Sequence, residues 1–517
     1  IHSKQKIKMN LSILLATFIS ITSISEAMAA RGTVFHDKNQ NGKRDKGEPC
    51  TKNIGDSNGK EVTKTNNAGI WELPHDDNTI FFVIKPRDWS TPLNEHNLPQ
   101  FYYIHKPEGS SPKLKYKGLE PTGPLPESID FALNPKKEPD TFKAIFFGDP
   151  QPSTIKQVNY IAHDIISELI GTDAKFGVTL GDIMNDNLDL FPASNANLAL
   201  IGIPWYNVVG NHDINFDSPD DAGSNATFHR FFGPNYYSFD HGPVHFIVLD
   251  DVEWSGRNYK GGLNEDQLTF VKNDLALVPE EKLIVLMMHI PLTNVGNRQE
   301  LYRLIEKRRY TMSISGHTHW HAHKLIDEKD GWKGKEPHHH IINVCVSGTW
   351  WKGNKDEVAI PHATMRDGAP NGYSIITFDG AKHTLDFKAA RQPASYQMSI
   401  HAPDHIDPQN ENKKIIYVNV FNGSVKSKVK MRIGKGADWI PLKKTVENDP
   451  YYVELREREA ANSKTGKTSL NPPSPSDHLW KIQIPSGLEI GSHLIEVEAT
   501  DHYGRLHRAN RIIRIEK

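Results

Sequence analysis

Apolar runs that end at a glycine followed by polar side chains organise the middle of the chain. The run at 205–209 is rich in valine and ends at Gly210, where the chain must turn. This pattern predicts a buried strand that delivers Asn211, an oxygen ligand, beside His212, which titrates near neutral pH. Taken alone, the pattern fits a Gly-Asn turn with a packing histidine equally well.

Four further apolar runs repeat this pattern between residues 142 and 320. Residues 143–147 precede Asp149 and Gln151, residues 177–180 precede Asp182, residues 283–288 precede His289, and residues 311–315 precede His317 and His319. Segments with helical spacing lie between them at 155–169, where Ser153 is the expected cap, at 264–277 and at about 300–309. The alternation predicts an α/β core whose strand ends meet at one edge, where ligands gather.

Short β-like runs on both sides of this region predict two more domains. From 31 to 134 they are separated by Gly, Asn and Pro, which predicts an N-terminal β domain. The core is expected over 140–391. Three runs near its end are expected to complete its second sheet: 340–347, 373–378 and 384–387. Residues 392–517 alternate in strand fashion, with loops over 438–477, and predict a C-terminal β-sandwich-like domain.

The first 30 residues predict a cleaved export signal. Three lysines precede an apolar run at 11–24, and Ala27-Met28-Ala29 supplies the small residues of a signal peptidase site. The run is short and interrupted by hydroxyl residues, which argues against a membrane anchor. We therefore expect export to the periplasm or the extracellular space, with no membrane span in the mature chain.

Composition argues against nucleic acid and anionic membranes as partners, but it does not indicate a reaction. A chain of 517 residues is too long for one core and predicts about two to four domains. The formal net charge of -2 gives no electrostatic reason to expect nucleic acid or an anionic membrane, and there is no nucleic-acid-binding signature. Cys50 and Cys345 lie far apart and are expected to be free or buried. The sequence carries no indication of oligomeric state.

A polar loop at 37–48 matches the spacing of a calcium-binding loop. Oxygen side chains occupy loop positions 1, 3, 5, 9 and 12, and glycine occupies position 6. The flanks look like strands, so the loop is no EF-hand, and it resembles the calcium-like loops of β-sandwich repeats in bacterial surface proteins. A polar Asn/Gly turn explains the same residues, and both interpretations stay open.

The order of the motifs identifies a family. Asp-x-Gln, Gly-Asp, Gly-Asn-His-Asp, His and Gly-His-Thr-His resemble the calcineurin-like metallophosphoesterases. Residues 350–373 resemble a bacterial subgroup with β domains on both sides of the core. The resemblance implies a four-layer αββα metallophosphoesterase sandwich flanked by N- and C-terminal β-sandwich-like domains. It also implies two metal ions that share Asp182, one with Asp149, Gln151 and His319, the other with Asn211, His289 and His317.

The chemistry that the resemblance implies is metal-assisted hydrolysis. A hydroxide that bridges the two ions attacks phosphorus, and His212 protonates the leaving oxygen. Asp186 and Asp213 are the two candidates for orienting His212. Mixed oxygen and imidazole ligands favour Mn, Fe or Zn over Ca or Mg.

Two departures from the family pattern bear on the metal. Gln151 stands where many members have histidine, and its neutral oxygen favours Mn²⁺. Asn185, three residues after Asp182, replaces the tyrosine ligand of purple acid phosphatases. We therefore expect no tyrosinate-to-iron colour, and a strongly purple preparation would contradict this.

Other residues near the motifs have ordinary explanations. His321, His323 and the run 338–340 are expected to be packing or exposed histidines. Trp350 and Trp351 either stack on a substrate ring or simply pack.

The sequence thus predicts an exported dinuclear phosphoesterase that hydrolyses a small phosphate mono- or diester. A phosphoprotein phosphatase is the alternative among enzymes, and a surface-binding protein with a non-catalytic core is the alternative of another class. The complete ligand set argues against a decayed core. Substrate choice is expected to lie in three loops: 215–229, 254–262 and 352–371.

Overall fold

The structure is a computed structural model that describes residues 29–409, 413–434 and 436–516. The predicted export signal falls on residues that lie, apart from Ala29 and Ala30, outside the described part. The first strand begins at Ala29. No helix among the described residues is both long and apolar enough to span a bilayer.

The N-terminal region forms two sheets around an aromatic core. Its strands are β1 (Ala29–His36), β2 (Gly55–Ser57), β3 (Val62–Lys64), β4 (Ile70–Pro74), β5 (Thr79–Ile84), β6 (Trp89–Ser90), β7 (Tyr102–His105) and β8 (Phe131–Pro135). They pair in the orders β4-β1-β8-β6 and β3-β2-β5-β7. Trp71 of the first sheet and Phe81 of the second are fully buried, with ring centroids 5.4 Å apart. The two sheets therefore face each other as a sandwich.

The calcium-like loop at 37–48 is closed by its own side chains. The Asp37 carboxylate accepts from the backbone N–H groups of Asn41 and Gly42, at 3.2 and 2.7 Å. Glu48 accepts from Lys38 N at 2.8 Å and Asp45 N at 3.0 Å. These bonds serve a polar turn by themselves, and calcium binding stays a prediction.

The central region contains two mixed sheets, each with parallel and antiparallel strand pairs. The first has the order β11-β10-β9-β20-β21. It consists of β9 (Thr141–Phe147), β10 (Phe176–Leu180), β11 (Trp205–Val208), β20 (Gly372–Asp379) and β21 (Lys382–Ala389). The second has the order β12-β13-β16-β17-β19-β18. It consists of β12 (Tyr237–His241), β13 (Val244–Val248), β16 (Leu283–Met287), β17 (Thr311–Ser315), β18 (Ala322–Ile326) and β19 (His338–Ile342).

Helices and short elements connect these strands. The helices are α1 (Ile155–Asp164), α2 (Phe191–Ala199), α3 (Asp221–Ser224), α4 (Ala226–Phe232), α5 (Glu265–Leu275) and α6 (Arg298–Ile305). A hairpin joins β14 (Val252–Trp254) and β15 (Tyr259–Gly261), and 3-10 turns lie at Ile166–Glu168, Leu188–Leu190, Leu292–Asn294 and Glu328–Asp330.

Strand β9 shows how the layers are built. Ile145 and Phe147 pack with Ile161 of α1 on one face of the sheet. Phe142 and Phe146 point to the other face, and Phe142 meets Phe246 of the second sheet with ring centroids 6.4 Å apart. Both faces are buried because successive side chains of a strand alternate between a helix layer and the opposing sheet. The predicted αββα sandwich is confirmed.

Two local predictions about the core are wrong. The runs at 373–378 and 384–387 complete the first sheet, because β20 pairs antiparallel with β9. Of the run at 340–347, only residues up to Ile342 belong to a strand of the second sheet. Helix α1 is capped by Thr154, whose side chain accepts from Gln157 N, and not by Ser153. An apolar run shows that a strand is buried but not which neighbour it pairs with.

The C-terminal region is a second β-sandwich with one helix. Its strands are β22 (Met398–His401), β23 (His405–Ile406), β24 (Ile415–Val420), β25 (Val429–Ile433), β26 (Ile440–Pro441), β27 (Lys443–Asn448), β28 (Pro475–Gln483), β29 (Gly491–Thr500) and β30 (Leu506–Ile515). They pair as β22-β24-β28-β27 and β23-β30-β29-β25-β26. Helix α7 (Pro450–Asn462) lies where loops were expected. The residues that favour the start of this helix stand at its first turn: Asp449 caps it and Pro450 is its first residue.

Candidate metal centre

All the predicted ligands lie at the carboxyl ends of core strands. Asp149 follows β9, Asp182 follows β10, Asn211 follows β11, His289 follows β16, and the pair His317 and His319 follows β17. All are buried except His317, which is half-buried. The structure thus brings together side chains from both sheets at one edge of the sandwich.

Several ligand positions have left-handed backbone. Asp149 has φ 45°, Gln151 41°, Asp182 49°, His317 76° and His319 58°. Residues other than glycine adopt this region at a cost of about 1–3 kcal/mol each, which the surrounding fold must offset. Such strain concentrates at functional sites and here turns five side chains toward one volume.

The glycines of the motifs leave space for the ligands. A Cβ at Gly181, whose φ is +81°, would lie 2.4 Å from Nδ1 of His289. A Cβ at Gly210 would lie 2.0 Å from the backbone nitrogen of Asp182. Only glycine allows the backbone to pass this close.

Asp182 and His289 form the centre of one half of the site. Asp182 Oδ1 lies 3.2 Å from Nε2 of His289. The same nitrogen lies 3.0 Å from Oδ1 of Asn211 and 3.2 Å from Nδ1 of His317. Four potential ligand atoms therefore converge, as the resemblance implied for one ion.

Asp149, Gln151 and His319 form the other half. His319 Nε2 lies 3.8 Å from Oδ1 of Asp149. Gln151 Nε2 donates to Oδ2 of Asp182 at 2.7 Å, which joins the two halves through that carboxylate. Gln151 Oε1 is buried and has no hydrogen-bond partner among the residues that the structure describes. A buried acceptor without a donor is costly, and a bound cation would satisfy it.

Hydrogen bonds from Nδ1 orient the rings of His289 and His319 toward the site. His289 Nδ1 donates to the carbonyl of Leu180 at 2.8 Å, and His319 Nδ1 donates to the carbonyl of Gly348. Because a carbonyl only accepts, each Nδ1 carries a proton, which leaves Nε2 of each ring as the atom that can face an ion. The Trp350 ring stacks on His319 with centroids 3.7 Å apart, which fixes the plane of that imidazole. These donors fit two divalent transition-metal ions.

His212 lies at the rim of the site. Its backbone N–H donates to Oδ1 of Asp182 at 2.9 Å, and its Nδ1 lies 2.6 Å from Oδ1 of Asp186. Asp213, the other candidate for orienting His212, accepts instead from the backbone of Ile183, Met184 and Gly210. The structure therefore selects Asp186.

Two families of known proteins match the chain. Residues 142–321 match the family described as calcineurin-like phosphoesterase, and residues 340–507 match the family described as its C-terminal domain. The chain belongs to the calcineurin-like metallophosphoesterases. Membership of this family supports a metal-dependent phosphoric ester hydrolase.

Three solved structures show a distant likeness to this chain. Purple acid phosphatase PPD1 from yellow lupin (Lupinus luteus) seeds is 14% identical, with a TM-score of 0.36, over 65% of this chain. The match spans 66% of the lupin chain, just under two thirds. CopC from Methylosinus trichosporium OB3b and superoxide reductase (neelaredoxin) from Ignicoccus hospitalis are each 10% identical over 23% of this chain, with TM-scores of 0.14. These matches cover 89% and 80% of their own chains. Such scores support no conclusion about the site, and no curated protein matches the chain.

The two carboxylates of the site, Asp149 and Asp182, differ in pKa. Burial, together with the nearby charge of Asp182, raises the pKa of Asp149 to about 7. Burial would also raise the pKa of Asp182, but the imidazoles of His289, His212 and His317 hold it below its usual range. Asp182 is therefore the more acidic of the two carboxylates, which suits the shared-ligand role that the resemblance implies.

Cys345 is a neighbour of the site that sequence reasoning missed. Its thiol donates to Oδ2 of Asp149 at 3.4 Å, and burial raises its pKa well above the ordinary value. It therefore acts as a neutral donor that holds Asp149. Neither cysteine forms a disulfide, as predicted. An apolar strand-like run around Cys345 gave no sign of this contact.

Proposed function

We propose that this phosphoesterase hydrolyses a small phosphate mono- or diester, with His212 as the general acid. The position of His212 carries the proposal. Its main chain is tied to Asp182, its ring is held by Asp186, and its side chain remains 29% exposed. A proton donor at the rim, beside the shared carboxylate, is where a leaving oxygen would depart.

The chain supplies the remaining parts from its own side chains. Two divalent ions, when bound, would supply the positive charge that activates water and stabilises phosphoryl transfer. Asp182 holds the two halves of the ligand set together, and Asp186 keeps a proton on His212. Asp251 positions His289, because Oδ1 of Asp251 accepts from His289 N and Ile290 N at 3.2 and 3.0 Å. The neutral oxygen of Gln151 supports Mn²⁺ as the favoured metal.

Exposed aromatic rings beside the ligands support a substrate with a planar group. Phe216 is 40% exposed and lies 6.5 Å from the His212 ring, measured between centroids. Tyr259 is 38% exposed and lies 6.1 Å from the His317 ring. Both belong to loops expected to choose the substrate, and exposed rings next to a polar site offer stacking surfaces.

Turnover of defined esters tests the proposal. After chelation and reloading with Mn²⁺, the full chain is expected to hydrolyse chromogenic mono- or diesters, with a lower KM for aryl than for alkyl esters. Activity on phosphopeptides alone would favour a phosphoprotein phosphatase. Absence of turnover with metal bound would favour a surface-binding protein. Equal KM values for aryl and alkyl esters would show that Phe216 and Tyr259 do not stack on the substrate.

We also propose that the chain is exported. The apolar run at 11–24 and the small residues at 27–29 support this, and the apolar run precedes the first described strand, which begins at Ala29. Mass spectrometry of the protein recovered outside the cytoplasm is expected to show a start directly after Ala29 or Ala30. A start at Met9 would contradict cleavage.

A further inference from the structure

A cluster of histidines, buried except for the half-buried His383, lies where the phosphoesterase core meets the C-terminal sandwich. His323 comes from β18, His339 from β19, His383 from β21 and His502 from the turn between β29 and β30. One ring nitrogen from each of His323, His339 and His502 lies within 4.8 Å of the others. We call these three residues the junction histidines. They share no residue with the ligand set of the phosphoesterase site.

Each junction histidine has one ring nitrogen held by a partner outside the trio. His323 Nε2 lies 2.7 Å from Oδ1 of Asn422, His339 Nδ1 lies 3.0 Å from Nε2 of His383, and His502 Nδ1 lies 2.9 Å from the hydroxyl of Ser424. Histidines that bind metals are oriented in this way, with one nitrogen bonded outward and the other left for the ion.

The hydrogen bonds of Asn422 fix the tautomer of His323. Asn422 Nδ2 donates to the carbonyl of Leu385 at 2.8 Å, so its Oδ1 faces His323 as an acceptor. His323 Nε2 must therefore carry the proton, and its Nδ1 presents a lone pair. That lone pair lies 2.9 Å from Nε2 of His339, which donates to it.

The surroundings keep these rings neutral. Burial lowers the pKa of His502 to about 4 and lowers the pKa of His323 and His339 well below the ordinary value. Neutral imidazoles are the form that binds metals, so no imidazolium has to lose a proton before an ion binds to the cluster. Imidazole nitrogens suit Zn, Cu, Ni or Fe, and not Ca or Mg.

We propose that His323, His339 and His502 bind one transition-metal ion, of which Zn²⁺ is the natural test, and that this ion links the core to the C-terminal sandwich. Binding needs two adjustments. His502, now stacked on His339 with ring centroids 4.4 Å apart and planes at 5°, must tilt so that its lone pair converges. His339 must carry its proton on Nδ1 instead of Nε2, and His383 must move its own from Nε2 to Nδ1, which leaves the net charge unchanged.

Metal content of the full chain tests the proposal. In an Asp182→Asn background, which weakens the phosphoesterase site, one equivalent of Zn²⁺ is expected to remain after dialysis. Adding His502→Ala should remove that equivalent, whereas His405→Gln, an exposed histidine of the same domain, should leave it. Retention of the equivalent in the His502→Ala protein would overturn the proposal. So would an Asp182→Asn protein without any bound zinc.

A second measurement covers the case in which His502→Ala does not fold. His339→Gln keeps a polar side chain of similar size and removes one ligand. In the Asp182→Asn background, Zn²⁺ is expected to raise the melting temperature by at least about 4 °C, and His339→Gln to abolish that rise. An equal rise in both proteins would overturn the proposal. Because hydrolysis of esters is not the readout, failure here leaves the proposed activity standing.

Discussion

Asp182→Asn is expected to lose metal and to reduce phosphoesterase turnover by about 10³-fold or more. The carboxylate serves both halves of the ligand set, since Oδ1 lies 3.2 Å from His289 and Oδ2 accepts from Gln151 at 2.7 Å. An amide at this position has one oxygen and no charge, so it cannot be shared between two cations. Mass spectrometry of purified wild type is expected to show two equivalents of transition metal in addition to the zinc proposed for the junction histidines, and the variant is expected to lose the former.

The matched control for this prediction is Asp189→Asn, an exposed aspartate a few residues further along the chain. It should retain both the metal and the activity. A metal content equal to that of the wild type and normal turnover in Asp182→Asn would show that the carboxylate is not the bridge. A wild type with one equivalent beyond the zinc proposed for the junction histidines would point first to Gln151 as the weak ligand.

His212→Gln is expected to lower turnover by about 10²- to 10⁴-fold while the metal content stays at the wild-type value. His212 is tied to the ligand set by its main chain, and its ring is held by Asp186, so removing the ring takes away the proton donor alone. The loss should be largest for esters with poor leaving groups, because these need protonation most. A uniform loss for all leaving groups would contradict the role of general acid.

The same residue predicts a pH dependence. Burial lowers the pKa of His212, but the charges of Asp182 and Asp186 outweigh it and raise the pKa to about 9. Activity that needs the protonated ring is therefore present below this pKa and lost as the pH rises through it. Bound cations would add repulsion, so the alkaline limb should fall at or below about pH 9. Asp186→Asn is expected to move that limb to lower pH, and an unchanged limb would exclude Asp186 as its partner.

The metal ligands were predictable from the sequence because the patterns that mark them involve only neighbouring residues. Each ligand follows an apolar run, and each of the motifs around Asp182, Asn211 and His317 contains a glycine where the backbone passes close to another ligand. The end of a buried strand and the turn after it depend on a few neighbouring residues. The carboxyl ends of parallel strands share one edge, so the ligands had to meet.

Other features depend on partners far away in sequence. Asp213 is the next residue after His212 and Asp186 lies 26 residues before it, yet only the fold shows that Asp213 is taken by backbone donors and that Asp186 holds the His212 ring. The strands at 372–389 join the first sheet because β20 pairs with β9, more than 200 residues earlier. The local sequence pattern shows neither the partner of His212 nor the sheet that β20 joins.

By itself the sequence determined where strands end, which glycines are needed and which side chains are able to bind metal, because these follow from periodicity and residue chemistry. Tertiary structure decided which aspartate orients His212, which nitrogen of each imidazole is free, and that His323, His339 and His502 meet at one junction. Those outcomes depend on hydrogen bonds and packing between segments that are distant along the chain. Only the folded structure brings such segments into contact.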